Sequence, residues 1–318
     1  MSVSTLSHNT ILAATENGQV DRYTVDPATL ALTDVAQVVT LLEGRSNAAV
    51  YPVLVSGSNQ TVLVVTHLLI ETHSDGHADL IPAHLGVTVF HPDTGTVSHL
   101  RHTTSTTSPT PRIGFGAVVV GEAVVVVGGC DSYYETVRHD GHGGVTRHPQ
   151  VCNDMWCLDL NSLDSTSPWR SVSIDPRFAD IILAPQLQAT SSMEDSVVKF
   201  CDNTTLSVSL NGRVSFTRGV FDDPLYSRVM DWDVAVGVGP FICLFGSVIH
   251  DTPEEGEGTQ CVYMYDIVSR DSTQYMPLPF PDKVRCACML NPTTMLVVQG
   301  ERTLVVELDP ELFERFTD

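Results

Sequence analysis

Short apolar runs, each bounded by turn-forming residues, recur along the whole chain. Clear examples lie at residues 87–90, 117–120, 123–127, 241–245, 262–265, 295–298 and 303–308. Val, Ile and Leu dominate these runs and Gly, Asn, Asp or Pro interrupt them, a pattern that is typical of short strands. Helix signals are scarce, so the pattern predicts an all-β protein.

The strands group into units of near-constant length. Six units begin near residues 1, 41, 104, 176, 225 and 280, a spacing of about 50 residues that is typical of repeat architectures. A single β-sandwich is too small for this many strands, whereas small sheets repeated around an axis accommodate them. We therefore expect one domain, residues 1–318, with one sheet in each of residues 1–40, 41–103, 104–175, 176–224, 225–279 and 280–318.

One unit, residues 104–175, carries a distinctive set of residues around its apolar runs. In chain order the set is Arg112, Gly128, Gly129, Asn153, Asp154, Trp156 and Trp169. Glycine tolerates a positive φ, so the Gly pair suits a point where the chain leaves a strand by a sharp bend. The two tryptophans are large enough to fill the wedge between neighbouring sheets.

This set resembles the Kelch repeat, clearly over residues 111–170 and more weakly over residues 228–275. Phe115 stands where the family has His, Leu158 where it has Tyr, and in the weaker unit Tyr275 replaces the closing Trp. The resemblance implies a Kelch-type β-propeller whose blades are four-stranded antiparallel sheets. Six blades are expected, with seven as the alternative.

Three arginines open units: Arg112, Arg177 and Arg228. The resemblance implies that such arginines line the top of the central channel, where a guanidinium would bind acidic motifs through paired hydrogen bonds. The alternative is that they make structural pairings where each unit begins.

The charge balance restricts the possible partners. Lys and Arg number 17 against 38 Asp and Glu, a formal net charge of −21. Nucleic acid and anionic membranes both need compensating cations, so neither is expected as a partner. No leader or membrane-spanning run is visible, and three of the eight cysteines, Cys157, Cys243 and Cys261, sit inside apolar runs. We expect an acidic, monomeric, cytoplasmic protein with a protein partner.

Two His-rich insertions are the best candidates for a functional rim. Residues 71–84 contain His73, Asp75 and His77, and residues 131–150 contain His139, Asp140 and His142. Each follows the second strand of its unit, so both are predicted to emerge on the same rim. Imidazole and carboxylate groups at short spacing bind transition metals, but polar surface loops have the same composition. Both readings stay open, with His139, Asp140 and His142 also candidates for binding a partner.

No sequence motif points to a catalytic centre. The phosphate-binding loop, the nucleophile elbow and the zinc-protease motif are all absent from the sequence. The expected function is therefore a non-catalytic scaffold that recognises another protein through its loop faces, with no cofactor. The resemblance leaves two alternatives, a metal-dependent enzyme like the Kelch-type oxidases or sugar-acid isomerases, and a structural subunit of a larger assembly.

Overall fold

The structure is a computed structural model. It describes residues 2–7, 9–26, 29, 32–41, 48–56, 60–72, 78–91, 96–100, 108–120, 122–137, 145–152, 154–163, 169–173, 189–191, 196–201, 204–209, 214–218, 230–238, 241–248, 259–266, 271–272, 276–279, 281–291 and 293–309. The protein is all-β, as the sequence predicts, and the described residues include one short 3-10 helix, Leu160–Ser162. Nowhere in these ranges does a helix reach the length and apolar character that crossing a membrane requires.

The first two sheets are four-stranded meanders in which every strand is antiparallel to its neighbour. Sheet 1 consists of β1 (Ser2–Ser7), β2 (Thr10–Ala14), β3 (Gln19–Val25) and β4 (Leu32–Thr40). Sheet 2 consists of β5 (Ala48–Ser56), β6 (Thr61–Thr72), β7 (Ala78–His91) and β8 (Thr96–Leu100). Because β6 and β7 are far longer than β8, their outer halves extend beyond it.

Sheet 3 has a second hairpin inserted into its meander. Its strands are β9 (Gly116–Val120), β10 (Ala123–Val127), β13 (Met155–Asp159) and β14 (Trp169–Val172). The insertion between β10 and β13 forms β11 (Cys130–Val137) and β12 (Val145–Val151), which pair with each other. Val120 pairs with Ala123, so two residues connect β9 and β10.

The remaining sheets follow the same antiparallel plan. Sheet 4 consists of β15 (Ala189–Ser191), β16 (Ser196–Cys201), β17 (Thr204–Ser209) and β18 (Val214–Arg218). Sheet 5 consists of β19 (Met230–Val238), β20 (Phe241–Val248), β21 (Thr259–Asp266), β22 (Asp271–Ser272) and β23 (Met276–Pro277). Sheet 6 consists of β24 (Val284–Asn291), β25 (Thr294–Gln299) and β26 (Arg302–Glu307).

The apolar core lies between consecutive sheets. In β2, Leu12 and Ala14 pack against sheet 2, whereas Ile11 and Ala13 pack against sheet 6. Successive side chains of a strand point to opposite faces, so a strand covered on both faces needs an unbroken apolar run. This explains why the sequence shows continuous runs in place of an alternating pattern. Each fully buried Val or Leu contributes about 1.5–3 kcal/mol.

The sheets contact one another in chain order and the last contacts the first. The first strand of each sheet touches the first strand of the next, in the order β1, β5, β9, β15, β19 and β24. Strand β24 also touches β1, and Cys286 and Cys288 of β24 share a buried cluster with Ile11. Both cysteines lie in the apolar face between sheets 6 and 1.

The structure extends strands into both insertions that the sequence describes as loops. Strand β6 continues to Thr72 and β7 resumes at Ala78, so within residues 71–84 only residues 73–77 lie outside the described part of the chain. Strands β11 and β12 likewise occupy most of residues 131–150. The abundance of His and Asp hides the strand pattern there, because these residues are more frequent in loops than in strands.

Candidate functional site

Arg112 is the most completely bonded side chain at the start of sheet 3. It is fully buried, at 0 % exposure. Its Nε donates to the Thr110 carbonyl (2.9 Å), Nη2 to the Thr110 hydroxyl (2.9 Å) and Asp154 Oδ2 (3.1 Å), and Nη1 to the Gly128 carbonyl (3.1 Å) and Asp154 Oδ1. An arginine has five N–H donors, and these bonds use all five. The geometry therefore favours the structural alternative for Arg112, since no donor remains for a partner.

Asp154 is the counter-charge of this Arg112 cluster, which we define as Thr110, Arg112, Gly128 and Asp154. Its Oδ2 also accepts a bond from the indole Nε1 of Trp156, at 2.7 Å. Burial alone would raise the pKa of Asp154, but the hydrogen bonds and positive charge of Arg112, together with the Trp156 bond, lower it below its usual value. The pair is a two-pronged ion pair whose geometry compensates for the cost of burial.

Gly128 and Gly129 turn the chain from sheet 3 into the inserted hairpin. Both have positive φ, 61° and 91°. A Cβ on Gly129 would lie 2.8 Å from the carbonyl oxygen of Ile113, which is closer than real contacts allow. Ile113 and Cys130 exchange two backbone hydrogen bonds of 2.9 Å across this point. Only glycine satisfies both the conformation and the close approach.

The inserted β11–β12 hairpin begins and ends beside the Arg112 cluster. The Cys152 amide donates to the Gly129 carbonyl at 2.8 Å, which closes the base of the hairpin. Burial raises the pKa of Cys152 to about 11, even though the nearby Arg112 charge opposes the rise, so this thiol stays protonated and unreactive at neutral pH. The candidates His139, Asp140 and His142 come between the two strands in the sequence and lie outside the described residues. Asn153, which follows β12, also lies outside them.

The second projection is the outer part of the β6–β7 hairpin, which we define as the arm, residues 67–72 and 78–84. It carries three of the most exposed large apolar side chains among the described residues: Leu69 at 49 %, Leu80 at 45 % and Ile81 at 40 %. Leu69 lies directly opposite Ile81 in the antiparallel register, and Glu71 lies opposite Asp79. The arm therefore presents apolar and acidic groups to solvent. Of the sequence candidates here, His73, Asp75 and His77 lie outside the described residues.

The inserted β11–β12 hairpin contacts the sheet that carries the arm. Strand β11 touches β7, the outer part of which belongs to the arm. The hydroxyl of Thr66, next to the base of the arm, donates to the Arg112 carbonyl at 2.5 Å. Between the same two sheets, the rings of Tyr51 and Phe115 meet edge to face with centroids 5.5 Å apart. The strands that carry the two insertions thus meet beside the Arg112 cluster, and the emergence of residues 71–84 and 131–150 on one rim stays a prediction.

The other sequence candidates are distributed as follows. Trp169 is buried in the core between sheets 2 and 3, Trp156 packs against the same core, and the indole nitrogen of Trp169 has no hydrogen-bond partner among the described residues. Arg177 and Arg228 lie outside the described residues. Within the described ranges, no three His, Cys, Asp or Glu side chains are grouped so as to hold a metal ion.

The sequence pattern does not single out Leu69, Leu80 and Ile81, because they adjoin or lie within residues 71–84, where His and Asp are typical of a polar loop. A signal was present in the apolar run of β6, where the nine residues 62–70 contain two polar positions, Thr66 and His67. The buried strands β9 and β10 are five residues long. An apolar run that is longer than the buried strands of the neighbouring sheet predicts that some of its apolar side chains lie outside the core.

No protein-family model matches the sequence, and no curated protein matches it. The chain is similar in structure to a solved protein described as "Structure of YjhT", with a TM-score of 0.58 and 10 % sequence identity. The match covers 96 % of this chain and 96 % of that chain. At this identity the likeness concerns the fold alone.

Proposed function

We propose that the chain is a Kelch-type β-propeller with six blades. Three observations support this. Six antiparallel sheets follow one another along the chain, and their first strands touch in an order that returns from β24 to β1. The core lies between the faces of neighbouring sheets. Arg112, Gly128 and Asp154, three of the residues that carry the resemblance to the Kelch repeat, bond to one another around the start of sheet 3.

We further propose that the protein is a non-catalytic scaffold that binds another protein through the face carrying the arm and the β11–β12 hairpin. The observation that carries this is the exposure of Leu69, Leu80 and Ile81 on a projecting hairpin. Grouped exposed apolar side chains mark interaction sites on soluble proteins. Propellers place the connections of adjacent blades on a common face, which provides a rigid base for such a surface.

Site-specific photo-crosslinking tests this proposal. A photo-reactive amino acid at position 81 samples the arm, and one at position 122 is the matched control. Glu122 is exposed in the β9–β10 connection, at the opposite end of β10 from the inserted hairpin. We expect a defined cross-linked partner from position 81 and none from position 122. Equal labelling from both positions, or none from either, would contradict a binding role for this face.

A monomeric state and a cytoplasmic location remain part of the proposal. The location is supported by the buried thiols, of which the pKa values of Cys243 and Cys261 are raised to about 12 by burial. Such cysteines behave as small apolar side chains and need no oxidising compartment.

A further inference from the structure

One face of the arm presents three cross-strand pairs in a row. Alternation places residues 67, 69 and 71 on the same side of β6, and each lies opposite a residue of β7. The pairs are His67 with His84, Leu69 with Ile81, and Glu71 with Asp79. His84, Leu69, Ile81 and Glu71 are exposed, and His67 and Asp79 are half-buried. From its base outwards, this face therefore carries a pair of imidazoles, then a pair of apolar side chains, then a pair of carboxyl groups.

The acidic pair at the outer end defines the charge that a bound molecule would need. Glu71 is exposed there and Asp79 lies directly opposite it, so two carboxyl groups share the outer end of this face. A basic group beside the exposed Glu71 is attracted to this end of the arm, and an acidic one is repelled. The chain as a whole adds to this preference, because its formal net charge is −21.

The apolar pair next to the carboxylates calls for an apolar group in the same molecule. Leu69 and Ile81 leave close to half of their surfaces in water, at 49 % and 40 % exposure. Covering them removes apolar surface from water, which is the principal driving force of protein association. A second copy of this chain is disfavoured as the covering partner, since two arms face to face would bring four carboxylates together in two strongly acidic molecules. An anionic lipid surface is disfavoured for the same reason.

We propose that this face of the arm binds a segment of a partner protein in which lysine or arginine side chains adjoin apolar ones. The apolar side chains cover Leu69 and Ile81, and the basic ones lie over Glu71 and Asp79. This inference rests on the proposed scaffold function and names the chemistry of the partner at that site.

Fluorescence anisotropy with defined peptides tests the inference on the full-length protein. The probe is a short fluorescein-labelled peptide with the repeat Leu-Ser-Lys-Ser, which places leucine and lysine on the same face of an extended chain, and the control peptides replace lysine by glutamate or leucine by serine. We expect the leucine–lysine peptide to bind and each control peptide to bind about tenfold more weakly or not at all. In methyl NMR spectra of the unmodified protein, the peptide should shift the Leu69 and Ile81 signals and leave those of the buried Ile11 in place.

Paired variants separate the arm from the overall charge. Glu71→Gln with Asp79→Asn removes two charges from the arm, and Glu122→Gln with Glu301→Gln removes two from exposed side chains elsewhere. We expect the arm pair to weaken binding about fivefold and the control pair less than about twofold. Leu69→Ser with Ile81→Ser should weaken it about tenfold, while thermal unfolding confirms that the variant is folded.

Equal loss in the two charge variants, or equal binding of the glutamate peptide, would overturn the inference. The outcome is distinguishable from failure of the scaffold proposal. If cross-linking at position 81 captures a partner but the leucine–lysine peptide does not bind, the basic character of the segment is wrong and the scaffold role stands. If neither experiment gives a signal, both are wrong.

Discussion

A buried arginine is tolerated only where every donor is satisfied, and Arg112 meets this condition. Its guanidinium bonds to a carboxylate, two carbonyls and a hydroxyl at the point where sheet 3 begins and the inserted hairpin leaves. Removing one member of such a buried pair leaves an uncompensated charge, which costs about 3–5 kcal/mol. At the residue scale, the Arg112 cluster therefore stabilises this end of sheet 3.

Asp154→Asn tests this role through its pH dependence. The variant should lose about 3 kcal/mol of unfolding free energy at neutral pH, the low end of the range because Asp154 keeps 34 % of its side chain exposed. The folded-state pKa of Asp154 lies below its ordinary 3.8, so its contribution is complete above that value and is lost as the pH falls through the folded-state pKa. The difference between native protein and variant, measured by urea unfolding, should shrink from about pH 7 to about pH 3.

Asp282→Asn is the matched control, because Asp282 is exposed near the start of sheet 6. It should change the unfolding free energy by less than about 0.5 kcal/mol. A loss for Asp154→Asn that is no larger than this, or one that does not vary with pH, would show that the ion pair does not stabilise the fold.

The sequence identifies three of the four members of this cluster, Arg112, Gly128 and Asp154, but not their role. The resemblance to the Kelch repeat brought them into one set, yet it left open whether Arg112 binds a partner or makes structural contacts. That choice depends on burial and on which atoms meet in space. The carbonyl of Gly128 and the hydroxyl of Thr110 are among its acceptors, and no pattern of residue types predicts those bonds.

At the scale of elements, strand length separates the core from the projections. Strands β9 and β10 are buried apart from the half-buried Ala123, whereas β6 is buried from Thr61 to Thr66 and becomes more exposed towards Thr72. The sequence predicts the buried parts well, because a strand covered on both faces needs an unbroken apolar run. It predicts the projections poorly, since their outer parts carry residues that are typical of loops.

Excising the β11–β12 hairpin tests whether this projection is separate from the core. Among the described strands, β11 and β12 pair only with each other, apart from the bridge between Ile113 and Cys130. Replacing residues 132–150 with a short Gly-Ser linker keeps that bridge. We expect the midpoint of thermal unfolding to change by less than about 4 °C, because shortening a surface insertion changes loop-closure entropy little. A much larger fall would show that the hairpin stabilises the sheets beneath it.

At the scale of the whole molecule, the sheets contact one another in a closed cycle, from sheet 1 through sheet 6 and back to sheet 1. Each of sheets 1 and 2 packs on two others, and sheet 1 packs on both sheet 2 and sheet 6 although sheet 6 lies at the far end of the chain. Such an arrangement brings strands of neighbouring sheets together, and β11, inserted in sheet 3, contacts β7 of sheet 2. The net charge of −21 then favours the approach of basic partners to any part of the surface.

The regular spacing of the strands predicts the division into repeated sheets. It does not predict which sheets contact each other when they lie far apart in the sequence. A period of about 50 residues predicts repeated sheets, but the order in which they meet depends on packing between residues far apart in sequence. The cluster that joins Ile11 to Leu290 and Leu296 is an example. Nothing in the local pattern of either segment identifies the other as its neighbour.

Methyl–methyl nuclear Overhauser effects in the full-length protein test the radial arrangement most directly. We expect cross-peaks between consecutive sheets all along the chain and, decisively, between sheets 1 and 6, among the methyl groups of Ile11, Leu290 and Leu296. Sheets that are not consecutive, such as sheets 2 and 5, should give none. Cross-peaks between sheets 2 and 5, with none between sheets 1 and 6, would indicate stacked layers and contradict the propeller.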